Sequence, residues 1–177
     1  KIAINGFGRI GKLVLRAFLE KKLKNVEIVA INELGNIEAS FHLLKYDSVH
    51  GIISSNISKT KNGIKIGNKF IKFYSERDPT KLPWKSLNID VVLECSGVFT
   101  TKDKALAHIH AGAKKVVISA PATNVDKTIV QGVNNNELRK NHNIISNGSC
   151  TTNCLAPLAM VLDNTLGIES GFMTTIH

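Results

Sequence analysis

A glycine loop, Gly6-Phe7-Gly8-Arg9-Ile10-Gly11, follows the apolar run Ile2-Ala3-Ile4 directly and opens a segment whose Ile10, Leu13, Val14, Ala17 and Phe18 share one helical stripe. The spacing GxGxxG is weak alone. Here a strand precedes it, a helix follows it, and a second strand over Val26–Ile31 closes a βαβ unit. In such a unit Gly6 permits the tight turn, Gly8 lets a pyrophosphate approach the backbone, and Gly11 lets the helix pack against the strand. The helix N-terminus then favours the phosphate charge.

At the end of the second strand stands Glu33, placed to accept hydrogen bonds from the hydroxyls of an adenosine ribose. A 2′-phosphate there would meet a carboxylate, and no arginine adjoins Glu33 in sequence to neutralise it. The expected cofactor is therefore NAD rather than NADP. The rest of the chain alternates strand and helix, with strands over Asp90–Cys95, Lys115–Ser119, Ile129–Val133 and Asn143–Ser146. Lys102–Ala111 reads as a helix, and Asn136–Lys140 as a turn or short helix. Between Asn56 and Tyr74 the pattern changes to alternating apolar residues punctuated by Asn62-Gly63 and Gly67-Asn68, which are hairpin turn pairs. The expected class is α/β: a doubly wound, mainly parallel Rossmann sheet over residues 1–148 with an antiparallel hairpin insertion at its edge.

Ligands of such sheets bind at the carboxyl ends of the strands. Ser96 and Gly97 follow one strand and Ser119 ends another, where each can border a nicotinamide or form a turn. Arg77, in the loop after the hairpins, can stack on an adenine or stand free in solvent.

A second feature carries chemistry. In Ser149-Cys150-Thr151-Thr152-Asn153-Cys154 a polar stretch gives way to the apolar run Leu155, Ala156, Leu158, Ala159, Val161, Leu162, which marks a helix start. Unpaired amides and the positive end of the helix dipole favour a thiolate at Cys150, the setting of a nucleophile. The plain alternative is a small buried hydrophobe, which is how Cys95 reads within its apolar run. Cys154 shares the helical face of Cys150, but adjacent turns of one helix rarely offer disulfide geometry. Two cysteines supply half of a tetrahedral zinc site, and none of the six histidines is spaced to complete it, so no metal is expected.

Composition sets bounds. With 43% hydrophobic and 21% charged residues, the 177-residue sequence is that of an ordinary soluble domain without a membrane span. Lys1-Ile2-Ala3-Ile4-Asn5 reads as a strand rather than a signal peptide, and three cysteines without a disulfide pattern suit a reducing cytoplasm. The formal charge of +9 comes from scattered lysines, which suits a small-anion site better than a nucleic-acid surface.

Taken together, INGFGRIG, LLKYDSVHG, ERDP, LPW, ECSGVFT, AGAKKVVISAP, SNGSCTTNCLAP and the closing TTIH resemble phosphorylating glyceraldehyde-3-phosphate dehydrogenases of bacterial type, over essentially the whole chain. The resemblance implies that the Cys150 thiolate attacks the aldehyde of glyceraldehyde 3-phosphate, with His177 as the base. Hydride then passes to NAD, and inorganic phosphate cleaves the thioester to 1,3-bisphosphoglycerate. It implies that Ser149 and Thr151 hold phosphate or substrate oxygens, where their plainer role is to cap the helix. It places Arg9, Ile10, Glu33, Arg77 and Ser119 at dinucleotide-binding positions, and gives His42, His50, His108, His110 and His142 no catalytic role. His177 would end a strand over Ser170–His177 that returns towards the helix start; taken alone it is a strand-end surface histidine. The resemblance implies a cytoplasmic homotetramer with a second, catalytic domain of comparable size that begins over residues 149–177, so the chain reads as truncated and turnover by these residues alone is not expected.

Glu33 in place of the usual aspartate and Gly148 in place of the usual alanine depart from the commonest pattern. The former resembles the erythrose-4-phosphate dehydrogenase branch, the alternative enzyme reading. From another class come an inactive NAD-binding module and a basic, RNA-contacting Rossmann domain. The latter lacks an aromatic recognition stripe or a dense arginine patch.

Overall fold

The computed structural model describes residues 1–176. In chain order the elements are β1 (Ile2–Asn5), α1 (Arg9–Lys21), β2 (Ile28–Asn32), α2 (Ile37–Lys45), β3 (Tyr46–Asp47), β4 (Gly51–Ile52), β5 (Ile57–Thr60), β6 (Gly63–Ile66) and β7 (Lys69–Tyr74). There follow β8 (Val91–Glu94), α3 (Lys102–His110), β9 (Lys115–Ile118), β10 (Lys127–Thr128), β11 (Ile144–Ser146) and α4 (Cys150–Leu166). One nine-stranded sheet runs β10-β11-β9-β8-β1-β2-β7-β6-β5. From β10 to β7 every pairing is parallel, while β5, β6 and β7 pair antiparallel. The order reverses between β1 and β8, so the crevice outside the carboxyl ends of these two strands is the topological switch point.

Strands in the centre of such a sheet are covered on both faces and read as continuous apolar runs. β1 shows why: Ile4 packs with Phe7, Leu15, Ile31, Leu44, Ile64 and Ile71 on one face. Ala3 packs with Ala30, Trp84, Ile89 and Val92 on the other. A third cluster of Ala105, Val116, Ile118 and Ile144 seats α3. Burying each large aliphatic side chain contributes about 1.5–3 kcal/mol. Side-chain caps start three helices: Asn36 accepts from Glu38 N at 2.6 Å, Thr101 from Lys104 N at 3.3 Å, and Ser149 from Thr152 N at 2.9 Å. No side chain caps α1, which begins after Gly8.

The hairpin insertion lies at the sheet edge, and Lys59, Lys61, Lys65, Lys69 and Lys72 are all exposed. Its second turn is Gly67-Asn68 as expected, but the first is one residue early. Thr60 pairs with Gly63, so Lys61 and Asn62 make the turn. Gly63 instead sits where a Cβ would lie 2.1 Å from Ile71 O and against the Phe70 ring.

Other expectations need correction. The second strand begins at Ile28 rather than Val26 and extends to Asn32. The strand expected over Ile129–Val133 is absent; the ladder next to β11 is made by Lys127 and Thr128. Ile129 and Val130 are buried at 8% and 6% exposure, so their hydrophobicity reports packing beneath a turn, which Asn134 ties by accepting from Val130 N. The short helix near 136–140 is a 3-10 turn over Asn135–Glu137. Residues 170–176 form no strand: they are exposed and belong to neither sheet. The sequence pattern announces neither α2 nor the small β3–β4 ladder.

Candidate active site

At the switch point lies a cleft of about 380 Å³ lined by Asn5 at the end of β1 with Gly6 and Gly8 of the first loop, Asn32 at the end of β2 with Glu33 and Leu34 beyond it, Glu76 and Arg77 after β7, and Cys95, Ser96, Val98 and Phe99 after β8. The glycine loop is shaped by its neighbours. Gly6 has φ +88°, and a Cβ there would stand 2.5 Å from the Ser96 backbone. A Cβ on Gly11 would come 2.2 Å from Gly6 O, so this glycine lets α1 close onto the loop. A Cβ on Gly8 would meet nothing within 4 Å, which leaves room for a ligand against bare backbone.

Glu33 is half-buried at the β2 end of the cleft. Its carboxylate accepts from Phe7 N at 2.6 Å and from Gly35 N at 2.8 Å, which ties the glycine loop to the loop after β2. Carboxylate oxygens have about four acceptor sites between them, so capacity for hydroxyl donors remains. Arg77 is exposed and lines the same end.

The structure thus brings Gly6, Gly8, Glu33, Arg77 and Ser96 into one cleft, while Arg9, Ile10, Gly11, Gly97 and Ser119 do not line it. Arg9 starts α1, but its guanidinium turns to Asp47, with Nη1 2.5 Å from Oδ2. It borders a separate concavity with Lys12, Leu43, Tyr46 and Ser48. Backbone N–H groups of His50 and Val49 hold the Asp47 carboxyl well below the usual range, helped by the His50 ring and Arg9. Ile10 leaves its side chain 46% exposed at the start of α1. Ser119 receives the next register position, its N–H donating to Glu94 O at 3.0 Å, and its side chain bonds the Cys95 thiol. Cys95 itself is core, and burial pushes its thiol up to about 11.

Cys150 is exposed and is the first residue of α4. The loop bringing it there is bound from several sides. Asn147 N donates to Ile118 O at 2.9 Å, and Gly148, at φ +71°, donates its N–H to Ser146 Oγ at 3.0 Å. The Asn153 amide donates to Asn147 O at 2.7 Å and to Ser149 O at 2.9 Å, closing the turn from within the helix. Ser149 caps α4, with its Oγ also 2.8 Å from Thr152 Oγ1, and Thr151 is half-buried in the first turn. Cys154 is exposed on the same face. His177, the expected base, lies outside the described residues. Among the described residues no cluster of three or more His, Cys, Asp or Glu could hold a metal ion, and no helix is long and apolar enough to cross a membrane.

Asn5, Asn32, Leu34, Glu76, Val98 and Phe99 line the cleft without having been singled out from sequence. A signal existed for the first two: each is a polar residue ending an otherwise apolar run, IAIN and IVAIN. Glu76 and Phe99 arrive from loops whose paths only the fold defines.

Residues 1–102 match the family model described as glyceraldehyde 3-phosphate dehydrogenase, NAD binding domain, and residues 149–177 match the C-terminal domain of the same description. Over 177 residues the chain is 56% identical to a glyceraldehyde-3-phosphate dehydrogenase of Clostridium acetobutylicum, covering 100% of this chain and 52% of the relative. It is 52% identical over 177 residues to that of Xanthobacter flavus and 50% identical over 177 residues to that of Thermotoga maritima, each time covering 100% of this chain and 53% of the relative. The chain spans about half the length of the curated relatives it matches.

Proposed function

The chain belongs to the glyceraldehyde 3-phosphate dehydrogenase family, and from that premise we propose that it supplies the NAD-binding domain, over 1–148, and the start of the catalytic domain, over 149–177, of an enzyme that oxidises and phosphorylates glyceraldehyde 3-phosphate. The observation that carries the reading is the order of residues along the carboxyl edge of the sheet. Glu33 after β2, the glycine loop after β1, Ser96 after β8, Ser119 after β9 and Cys150 after β11 follow one another across neighbouring strands. Strand spacing of about 4.8 Å makes this a track of roughly 19 Å from β2 to β11, suited to a ligand of two linked nucleotides.

The cleft fits NAD. Space beside Gly8 and the uncapped start of α1 would receive the pyrophosphate, Glu33 would accept from the adenosine ribose, and Arg77 would border the adenine. Leu34, Val98 and Phe99 supply apolar contact there. When bound, the nicotinamide accepts the hydride. Cys150 Sγ attacks the aldehyde carbon to form a hemithioacetal, with His177 taking the thiol proton, and oxidation leaves a thioester on the same sulfur. Amides and hydroxyls of Ser149 and Thr151 at the start of α4 hold the substrate oxygens or the incoming phosphate. Inorganic phosphate then displaces the sulfur and releases 1,3-bisphosphoglycerate. Family membership also supports a cytoplasmic homotetramer, which sedimentation of the full-length protein tests.

The test is NAD reduction by the full-length protein with glyceraldehyde 3-phosphate, with and without inorganic phosphate. Phosphate-dependent turnover is expected, and Cys150→Ser should lower it on the order of 10⁴-fold or more while NAD binding persists. Turnover confined to erythrose 4-phosphate, or a normal rate in Cys150→Ser, would reject the assignment.

A further inference from the structure

Beneath the cleft runs a buried polar network that the chemistry above does not use. Asn32, Asn5 and Glu94 end β2, β1 and β8 at the same register, so they sit side by side at the carboxyl edge. They are 5%, 2% and 1% exposed, and His108 of α3 and Trp84 beside them are fully buried. Asn5 Nδ2 donates to Glu94 Oε2 at 2.6 Å, and His108 Nε2 lies 2.9 Å from the same oxygen. Ser96 N donates to Glu94 Oε1 at 2.7 Å, and the Ser96 hydroxyl bonds the same oxygen. Beyond Asn5, Asn32 Nδ2 donates to Asn5 Oδ1 and to Glu76 O, both at 2.8 Å, and Asn32 Oδ1 accepts from Glu76 N at 2.9 Å.

Directions in this network follow from donor chemistry. The Trp84 indole can only donate, and its Nε1 lies 3.1 Å from His108 Nδ1. Nδ1 must therefore accept, which puts the imidazole proton on Nε2, pointing at Glu94. Glu94 accepts from every partner. An ionised carboxylate is the side chain of this shape that can do so.

We propose that Glu94 is a positioning residue for the dinucleotide cleft: by accepting only, it sets the donor and acceptor directions of the Asn5 and Asn32 amides and of the Ser96 hydroxyl, three residues that line the cleft. The proposal rests on NAD binding at this cleft. A glutamine in its place would present an amide N–H₂ to two donors whichever way it turned. Facing Ser96, it meets a backbone N–H that cannot reverse. Facing Asn5 and His108, it could be relieved only by flipping Asn5 and Asn32 and moving the imidazole proton. Those changes end on the Glu76 backbone N–H and the Trp84 indole N–H, which are equally fixed. The free protein can ease the mismatch by turning the cleft wall towards water, whereas ligand binding requires the wall restored. The defect therefore appears in affinity.

The experiment is calorimetric titration of the full-length protein with NAD, alongside steady-state kinetics. Glu94→Gln should weaken NAD binding on the order of tenfold and raise the KM for NAD similarly, with kcat within about twofold. Trp84→Phe is the control for simple loss of packing: it lowers the melting temperature but leaves in place every hydrogen bond that Glu94 accepts, so NAD affinity should stay within about twofold. Equal affinity in folded Glu94→Gln, or equal weakening in both variants, overturns the proposal. Failure of the unaltered protein to bind NAD would overturn the functional reading as well. If Glu94→Gln does not fold, ¹⁵N NMR of His108 in the unaltered protein decides: the Nε2–H neutral tautomer is expected, and an Nδ1–H tautomer or an imidazolium overturns it.

Discussion

The switch-point cleft and the first turns of α4 are both parts of the proposed site, yet they are held in opposite ways. Around the cleft, strand ends are buried and their polar groups are pinned by one another across β2, β1 and β8. α4 buries none of its residues, and Leu155, Leu158, Val161, Leu162 and Leu166 are all more than a third exposed. Position in the first region is set by long-range packing. In the second it is set mainly by local groups, the Ser149 cap, the Asn153 tether and the positive φ of Gly148, with one long-range anchor from Asn147 N to Ile118 O. Cys150, the proposed nucleophile, thus stands at the rim of the sheet on a turn held mainly by its own residues.

The largest expected contrast is between thiols of the two regions. At pH 8 only about one Cys95 in 10³ is a thiolate, because burial holds it up at about 11, and its sulfur is also shielded. Iodoacetamide followed by peptide mass mapping should label Cys150 and Cys154 at least roughly 100-fold faster than Cys95. Labelling of Cys95 at a comparable rate in the folded protein would erase the distinction.

Next come the glycines of the loop. Gly11→Ala forces a Cβ to 2.2 Å from Gly6 O and should cost about 2–4 kcal/mol in urea unfolding. Gly8→Ala enters open space, so stability should stay within about 0.5 kcal/mol while NAD affinity falls roughly tenfold or more. The reverse ranking in stability would show that Gly8, not Gly11, is the glycine whose bare backbone the packing requires.

A smaller effect concerns acid. The Asp126 carboxyl joins the start of α3 to β11 through Lys102 and the N–H groups of Asn143 and Ile144. Burial opposes its ionisation, but these partners outweigh it and hold the group down at about 2. A folded-state value below the unfolded one stabilises above about pH 4, and that contribution is lost as pH falls from about 4 to 2. Asp126→Asn should flatten the pH dependence of the melting temperature in that window; an unchanged slope would contradict the assignment. The smallest effect belongs to α4, where Leu158→Ser in this chain should change stability by no more than about 0.5 kcal/mol.

What the sequence disclosed divides along the same line. The glycine loop, Glu33 and the Ser149-Cys150 helix start are local patterns, each readable because capping, turns and helix entry involve residues close in sequence. Arg9 holds a place in the motif, but its guanidinium is drawn to Asp47, 38 residues on. Ile129 and Val130 carry the hydrophobicity of a strand, but only Ile129 N reaches β11, at Ser146 O, while Val130 N turns to Asn134 Oδ1; burial under a turn leaves the same mark in a sequence. Glu94 and His108, separated by 14 residues, meet only because β8 and α3 pack together, and no periodicity announces an acceptor shared between them.

The central place of β1 bears on how the molecule is made. This strand leaves the ribosome before its neighbours, and its flank against β2 can close once residue 32 is out, but the flank against β8 stays bare until residue 94 has followed. At about 5–20 residues per second that interval lasts roughly 3–12 s, during which a largely apolar strand edge awaits its mate. Nascent chains stalled inside that window are the ones a chaperone should grip most tightly.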